Sequence, residues 1–156
     1  MKKNIRFALA LLALVGLGIS LAYAANVHLI GGINVSDTGT SARACGKLAG
    51  LGNADVTITL TGTATVYSTC VNPAGNVAPG QANQVVTGSI HIRSTEIKNG
   101  TVSFCVRTAD PACISAKACG CPNNNWTATI RDVQFNSLML TVEQNGRVVL
   151  QETVLD

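Results

Sequence analysis

Between Val56 and Thr65 the chain changes character at every step. Val56, Ile58, Leu60 and Ala64 alternate with Thr57, Thr59, Thr61, Thr63 and Thr65, with Gly62 interrupting the apolar set. A two-residue period puts one set on each face of a strand, and β-branched side chains suit a pleated surface. The same period recurs at Val102–Arg107, Trp126–Arg131, Leu138–Glu143 and Val148–Gln151. No long segment beyond residue 24 carries a helical stripe. The chain is therefore read as all-β.

Turn chemistry divides these runs. Asn145-Gly146 supplies the two positive-φ residues of a tight hairpin, so Leu138–Gln144 is expected to pair with Arg147–Val154. Asn99-Gly100 marks a second turn, between Ile90–Ile97 and Thr101–Thr108. Asn72–Asn83 holds two prolines and two glycines and cannot be a central strand, because proline lacks a ladder donor. Asp110–Asn125 reads as a second long loop, and Gly31–Gly52 as irregular. About seven or eight short strands with regular turn signals predict a single antiparallel β-sandwich, immunoglobulin-like in the broad sense. A small barrel is the alternative. The Cys…Trp…Cys order of antibody domains is absent, because Trp126 follows every cysteine.

Charge is confined by position. Of a formal net charge of +3, the whole excess equals Lys2, Lys3 and Arg6. They precede an uncharged run from Phe7 to Leu21 and the small-residue site Ala22-Tyr23-Ala24, the pattern of an export signal cleaved after Ala24. The run is short for a membrane span, and the Lys-Lys start is of the bacterial kind. The expected organisation is a cleaved signal at 1–24, an N-terminal strand with a Gly/Ser/Thr-rich segment at 25–52, and a sandwich at 53–156. The remainder carries eight cations and eight anions. That balance argues against nucleic acid and against anionic membranes as partners. A secreted or periplasmic location follows.

Six cysteines lie beyond the signal: Cys45, Cys70, Cys105, Cys113, Cys119 and Cys121. An even number in an exported chain predicts disulfides. Spacing does not choose among the pairings. A metal site at Cys105, Cys113, Cys119 and Cys121 is the rival, but the close pair has one intervening residue and no histidine lies nearby. A redox dithiol at Cys119 and Cys121 lacks the usual two-residue spacer.

Other chemistries find little support. The two histidines are His28 and His91, and no nucleophile-elbow, metalloprotease or phosphate-loop motif occurs. The acids are scattered, with no marked carboxylate pair and no calcium loop. Of the aromatics Tyr67, Phe104, Trp126 and Phe135, most fit packing positions. No catalytic, metal or cofactor site is expected.

Three stretches carry a resemblance. They are Asn72 to Gln81 (NPAGNVAPGQ), Cys121 to Ile130 (CPNNNWTATI) and Thr141 to Gly146 (TVEQNG). Together they resemble a family of small secreted proteins with no established activity, over about Gly50–Thr153. The resemblance implies one exported β domain and a Cys70–Cys121 disulfide. It transfers no catalytic residue. In the Asn72–Gln81 loop, prolines restrict the backbone while Gly75 and Gly80 allow positive φ. If Cys70 bonds Cys121, this loop and Asn123–Asn125 gather at one end of the sandwich. Asn72, Pro73, Gly75, Asn76, Pro79, Gly80 and Gln81 are then the candidate recognition residues.

Three functions follow as expectations. The first is a non-enzymatic protein of structure or recognition at the cell surface. The second is a subunit of an extracellular polymer, self-associating by donating the strand Val27–Val35. The third is a hydrolase using His91 with Asp132 or Glu96.

Overall fold

The computed structural model describes residues 26–155. The export signal expected at residues 1–24 lies outside the described residues. Among those residues, no helix is long and apolar enough to cross a membrane. Seven strands form: β1 (His28–Asp37), β2 (Ala42–Ala49), β3 (Val56–Val71), β4 (Val77–Ile92), β5 (Val102–Arg107), β6 (Thr127–Gln144) and β7 (Arg147–Leu155). They make a three-stranded sheet in the order β1-β2-β5 and a four-stranded sheet in the order β4-β3-β6-β7. All pairings are antiparallel. The all-β sandwich read from the alternation is the observed architecture.

The main core follows from that alternation. Val56, Ile58 and Leu60 of β3 and Leu138, Leu140 and Val142 of β6 point inward and are buried. They meet Ala42, Ala44 and Leu48 of β2 and Phe104 and Val106 of β5. At one end of this core, buried Gln144 stitches down the loop before β3. Its amide nitrogen donates to the carbonyls of Gly52 and Ala54, at 3.2 and 2.8 Å, and its oxygen accepts from the Gly52 N–H at 3.1 Å.

Several sequence expectations need correction. Gly31–Gly52 is not irregular: it contains the end of β1 and all of β2. The glycines that suggested a loop build a bulge instead. Gly31 and Gly32 take positive φ where the β1–β2 register slips between Ile30 and Ile33. Within the stretch before residue 53, β2 pairs with β5. The Val27–Val35 stretch considered for strand donation has its ladder partner in its own chain, β2.

The alternating run Trp126–Arg131, from Thr127 onward, and the run Leu138–Glu143 belong to one long strand, β6. Register shifts place an extra residue at Asn136 and another at Arg131. Each bulge switches which residues face inward. Leu138 is buried on even numbering and Val133 on odd, and Ile130 returns to even. Likewise Gly62 does not break β3, which is continuous through it.

The Asn145-Gly146 hairpin joins β6 to β7 as its sequence predicts, with φ of 55° and 70°. Asn99 and Gly100 also take positive φ and close a turn, but only Lys98 and Thr101 bridge across it. No β4–β5 hairpin results, because those strands lie in different sheets. A 3₁₀ turn at Ser94–Glu96 redirects the chain, with the Arg93 N–H donating to Glu96 Oε2 at 2.8 Å.

Sheet lengths differ greatly, and this has a structural consequence. β1, β2 and β5 run for 10, 8 and 6 residues, whereas β3, β4 and β6 run for 16, 16 and 18. The short sheet cannot cover the far half of the long one. That half buries Ala64, Val66, Cys70, Val86 and Val133, outside the main core cluster. Its cover is the loop after β5, which carries Cys119 and Cys121, both buried. Ser68 Oγ donates to the Cys119 carbonyl at 2.7 Å, and Gln84 reaches the Ala118 carbonyl at 3.4 Å. Two glycines permit the close approach. A Cβ at Gly80 would run into Ser68, Cys70 and Cys119, and one at Gly120 into the backbone of Gln81. A cross-linked loop thus takes the place of the missing strands.

Candidate functional site

Three disulfides form: Cys45–Cys105, Cys70–Cys121 and Cys113–Cys119. Every cysteine considered for a metal or a redox dithiol is in one of them, so none offers a thiolate ligand in this state. Among the described residues no cluster of His, Cys, Asp and Glu is arranged to hold a metal ion.

The Asn72–Gln81 stretch divides in two. Asn72 to Asn76 is a compact turn. Asn72 Oδ1 accepts from the Asn76 N–H at 2.8 Å, the Asn72 N–H donates to the Asn76 carbonyl at 3.0 Å, and Gly75 closes onto Asn72. Pro73, Gly75 and Asn76 are exposed on it. Pro79, Gly80 and Gln81 are not loop residues; they lie in β4, paired with Thr69, Ser68 and Tyr67. Because β4 is an edge strand, Pro79 is tolerated there. Gly80 is buried under the stapled loop. Sequence alone reads this segment as one loop because both elements use proline and glycine.

The turn has a neighbour. Val71, at the end of β3, pairs with Val77 and with Thr127. The Asn72–Asn76 turn therefore sits at the same end of the sheet as Pro122–Trp126. There Asn123 Oδ1 accepts from the Asn125 N–H at 2.9 Å, and Asn124 Oδ1 accepts from the Lys117 N–H at 3.1 Å. The Cys70–Cys121 bond ties the two segments together, with Cys121 directly before one and Cys70 two residues before the other. Exposed Val77, exposed Asn123–Asn125 and half-buried Trp126 complete the surface. The Asn72 and Asn123 side chains each close their own turn, and Asn124 ties the second turn to Lys117.

The outer face of the long sheet is a second polar surface. Thr57, Thr59, Thr61, Thr63 and Thr65 of β3 lie along it, and several bond to neighbouring strands: Thr61 to Thr87 at 3.2 Å, Thr63 to Ser137 at 2.9 Å and Thr65 to Asn83 at 3.2 Å. The two bulged residues of β6 also serve this face. Asn136 donates to Thr65 at 3.0 Å and Arg131 to Thr69 at 2.9 Å. Thr61, Thr63, Thr65 and Thr69 thus have side-chain partners on neighbouring strands.

His91 stands at the edge of that face. Its partner is Asp55, with Nε2 at 3.2 Å from Oδ2, and Thr57 Oγ1 lies 3.5 Å from Nδ1. Neither acid named from the sequence joins it. Asp132 lies opposite Tyr67, and Glu96 caps its own turn. The His91 and Asp55 side chains are 58% and 50% exposed, on an open sheet edge. Thr57 offers a secondary hydroxyl at a long distance from an exposed ring. Asp55 instead serves the chain: the Ser94 N–H donates to it at 2.8 Å and, with His91, holds its carboxyl below the ordinary value of 3.8. A depressed acid contributes stability that is present above 3.8 and lost as pH falls through its folded value. We expect Asp55→Asn to lower stability slightly at neutral pH and to match the parent in strong acid. Urea midpoints measured across that range check this.

Between the sheets a half-open cleft of about 320 Å³ is lined by Val35, Asp37, Ala42, Gln134, Phe135, Leu138 and Leu155. None of the candidate recognition residues reaches it.

No protein-family model matches the chain, and no curated protein matches it. Among solved structures, one similar chain is a glycosyl hydrolase family 2 member from Bacteroides cellulosilyticus DSM 14838. Identity is 13% and the TM-score 0.29, over 82% of this chain and 15% of that one. The match spans a small fraction of the hydrolase, and a superposition so loose informs neither fold nor function.

Proposed function

We propose that this is an exported, non-enzymatic β-sandwich protein that acts by recognition at the cell surface or outside the cell. Its three disulfides suit an oxidising compartment. The contact surface in this reading is the end of the long sheet formed by the Asn72–Asn76 and Pro122–Trp126 turns. One observation carries it: two exposed turns, each closed by its own asparagine side chain, are clamped side by side by Cys70–Cys121. Pre-shaped loops cost less to order on binding than mobile ones. The exposed geometry of His91 favours this reading over hydrolysis.

The test is binding of the mature protein to intact cells of its source and to their isolated surface polysaccharide. Binding that Asn76→Ala with Trp126→Ala weakens by about ten-fold or more, at unchanged thermal midpoint, supports the proposal. Hydrolytic turnover abolished by His91→Ala would overturn it.

A further inference from the structure

We propose, beyond the recognition reading, that Cys45–Cys105 is a thiol–disulfide exchange site for negatively charged thiol partners. The three disulfides differ in access. Cys70, Cys119 and Cys121 are 0%, 0% and 4% exposed, which closes two of the bonds on at least one side. Cys105 is exposed and Cys45 half-buried, on the outer face of the short sheet. Their strands are immediate neighbours, and the two residues sit directly opposite with Cα atoms 4.1 Å apart. That is the close type of antiparallel pair. The bond therefore joins strands that backbone ladders already hold, from Arg43–Arg107 to Leu48–Val102. Opening it leaves the core residues of β2 and β5, on the opposite face, in place.

Charge singles out the same bond. On β2, Arg43 and Lys47 flank Cys45 at two residues on either side, on its face and exposed. On β5, Arg107 lies two residues beyond Cys105 and directly opposite Arg43. Two residues along a strand is about 7 Å. The acid on this face is Asp110, 3.5 Å from Arg107. Among the described residues no ion pair forms on Arg43 or Lys47. Cations beside a cysteine favour its thiolate, the better leaving group, and draw anionic partners to it.

The exchange balances with a dithiol partner. A partner thiolate attacks Sγ of Cys105, the S–S bond breaks, and Cys45 departs as a thiolate beside Arg43 and Lys47. The partner's second thiolate then attacks its own sulfur in the mixed disulfide and releases Cys105. Two electrons pass to the chain, the partner becomes a disulfide, and its two thiol protons are taken up by Cys45 and Cys105. The reverse sequence restores the bond.

The test uses the mature chain with all three bonds formed. It is treated with low dithiothreitol, quenched by alkylation and mapped by peptide mass. Cys45 and Cys105 should label about ten-fold faster than any other cysteine, with Trp126 fluorescence unchanged. Labelling of Cys113 and Cys119 first, or of all six together, overturns the proposal. A second arm compares an anionic monothiol, 2-mercaptoethanesulfonate, with cationic cysteamine at equal thiolate concentration. The anion should react about three-fold faster or more at low salt, and Arg43→Ser with Lys47→Ser should remove the difference. Equal rates on the unaltered chain contradict the charge-selected partner.

Discussion

Replacing both Cys70 and Cys121 by alanine is expected to lower stability by about 4 kcal/mol, roughly 15 °C in thermal midpoint. The bond closes a loop between residues 51 apart in sequence, and restricting an unfolded loop of that size gives this figure. Both sulfurs are also buried, so two alanines leave space behind. The loss should concentrate in one half of the molecule. The stapled loop stands where a second sheet would stand, and its hold on the far half of β3, β4 and β6 runs through Cys121, the Cys119 carbonyl and the close contact at Gly120. Removing Cys113–Cys119, which closes a separation of only 6, should cost less, because loop-closure entropy grows with length. Paired thermal scans of the two double variants check the order.

Phe104→Ala is expected to cost about 3–5 kcal/mol. The short sheet contributes few large side chains to the core. β2 presents Ala42, Ala44 and Gly46 inward beside the single large Leu48, and Phe104 of β5 packs against Gly46 in the same core. A Cβ at Gly46 would lie 3.2 Å from the Phe104 ring, which shows how closely ring and strand are packed. Gly46 beside the ring has no side chain to move into the vacated site. Urea unfolding should show a lower midpoint at an unchanged slope. A change below about 1 kcal/mol would mean that the ring is not part of the main core.

Much of the fold was legible because alternation acts locally. The inward set Val56, Ile58, Leu60 and the outward threonines of β3 need no knowledge of partners. What escaped depends on contacts distant in sequence. The bulges at Asn136 and Arg131 split β6 into two apparent strands, and the side chains that explain them bond across to Thr65 and Thr69. Gly31-Gly32 signals a loop or a bulge with equal force until β2 is seen beside it. Pro79 and Gly80 look like loop residues, yet one sits on an edge strand and the other lies beneath a cross-linked loop. His91 offered no clue to Asp55, 36 residues away, which an edge-strand register alone brings to it. Arg43 and Lys47 beside Cys45 and Arg107 beside Cys105 are plain in the sequence, but their gathering around one bond is not until β2 and β5 are paired.

A disulfide-stapled loop takes the place of missing strands over half of the long sheet. Hydrogen exchange on the Cys70→Ala, Cys121→Ala chain reads this half by half. Protection should fall in Tyr67–Val71, Val77–Gln84 and Thr127–Val133 while Val56–Leu60 and Leu138–Val142 stay protected. Uniform loss across both halves, or full retention in the far half, would contradict the account.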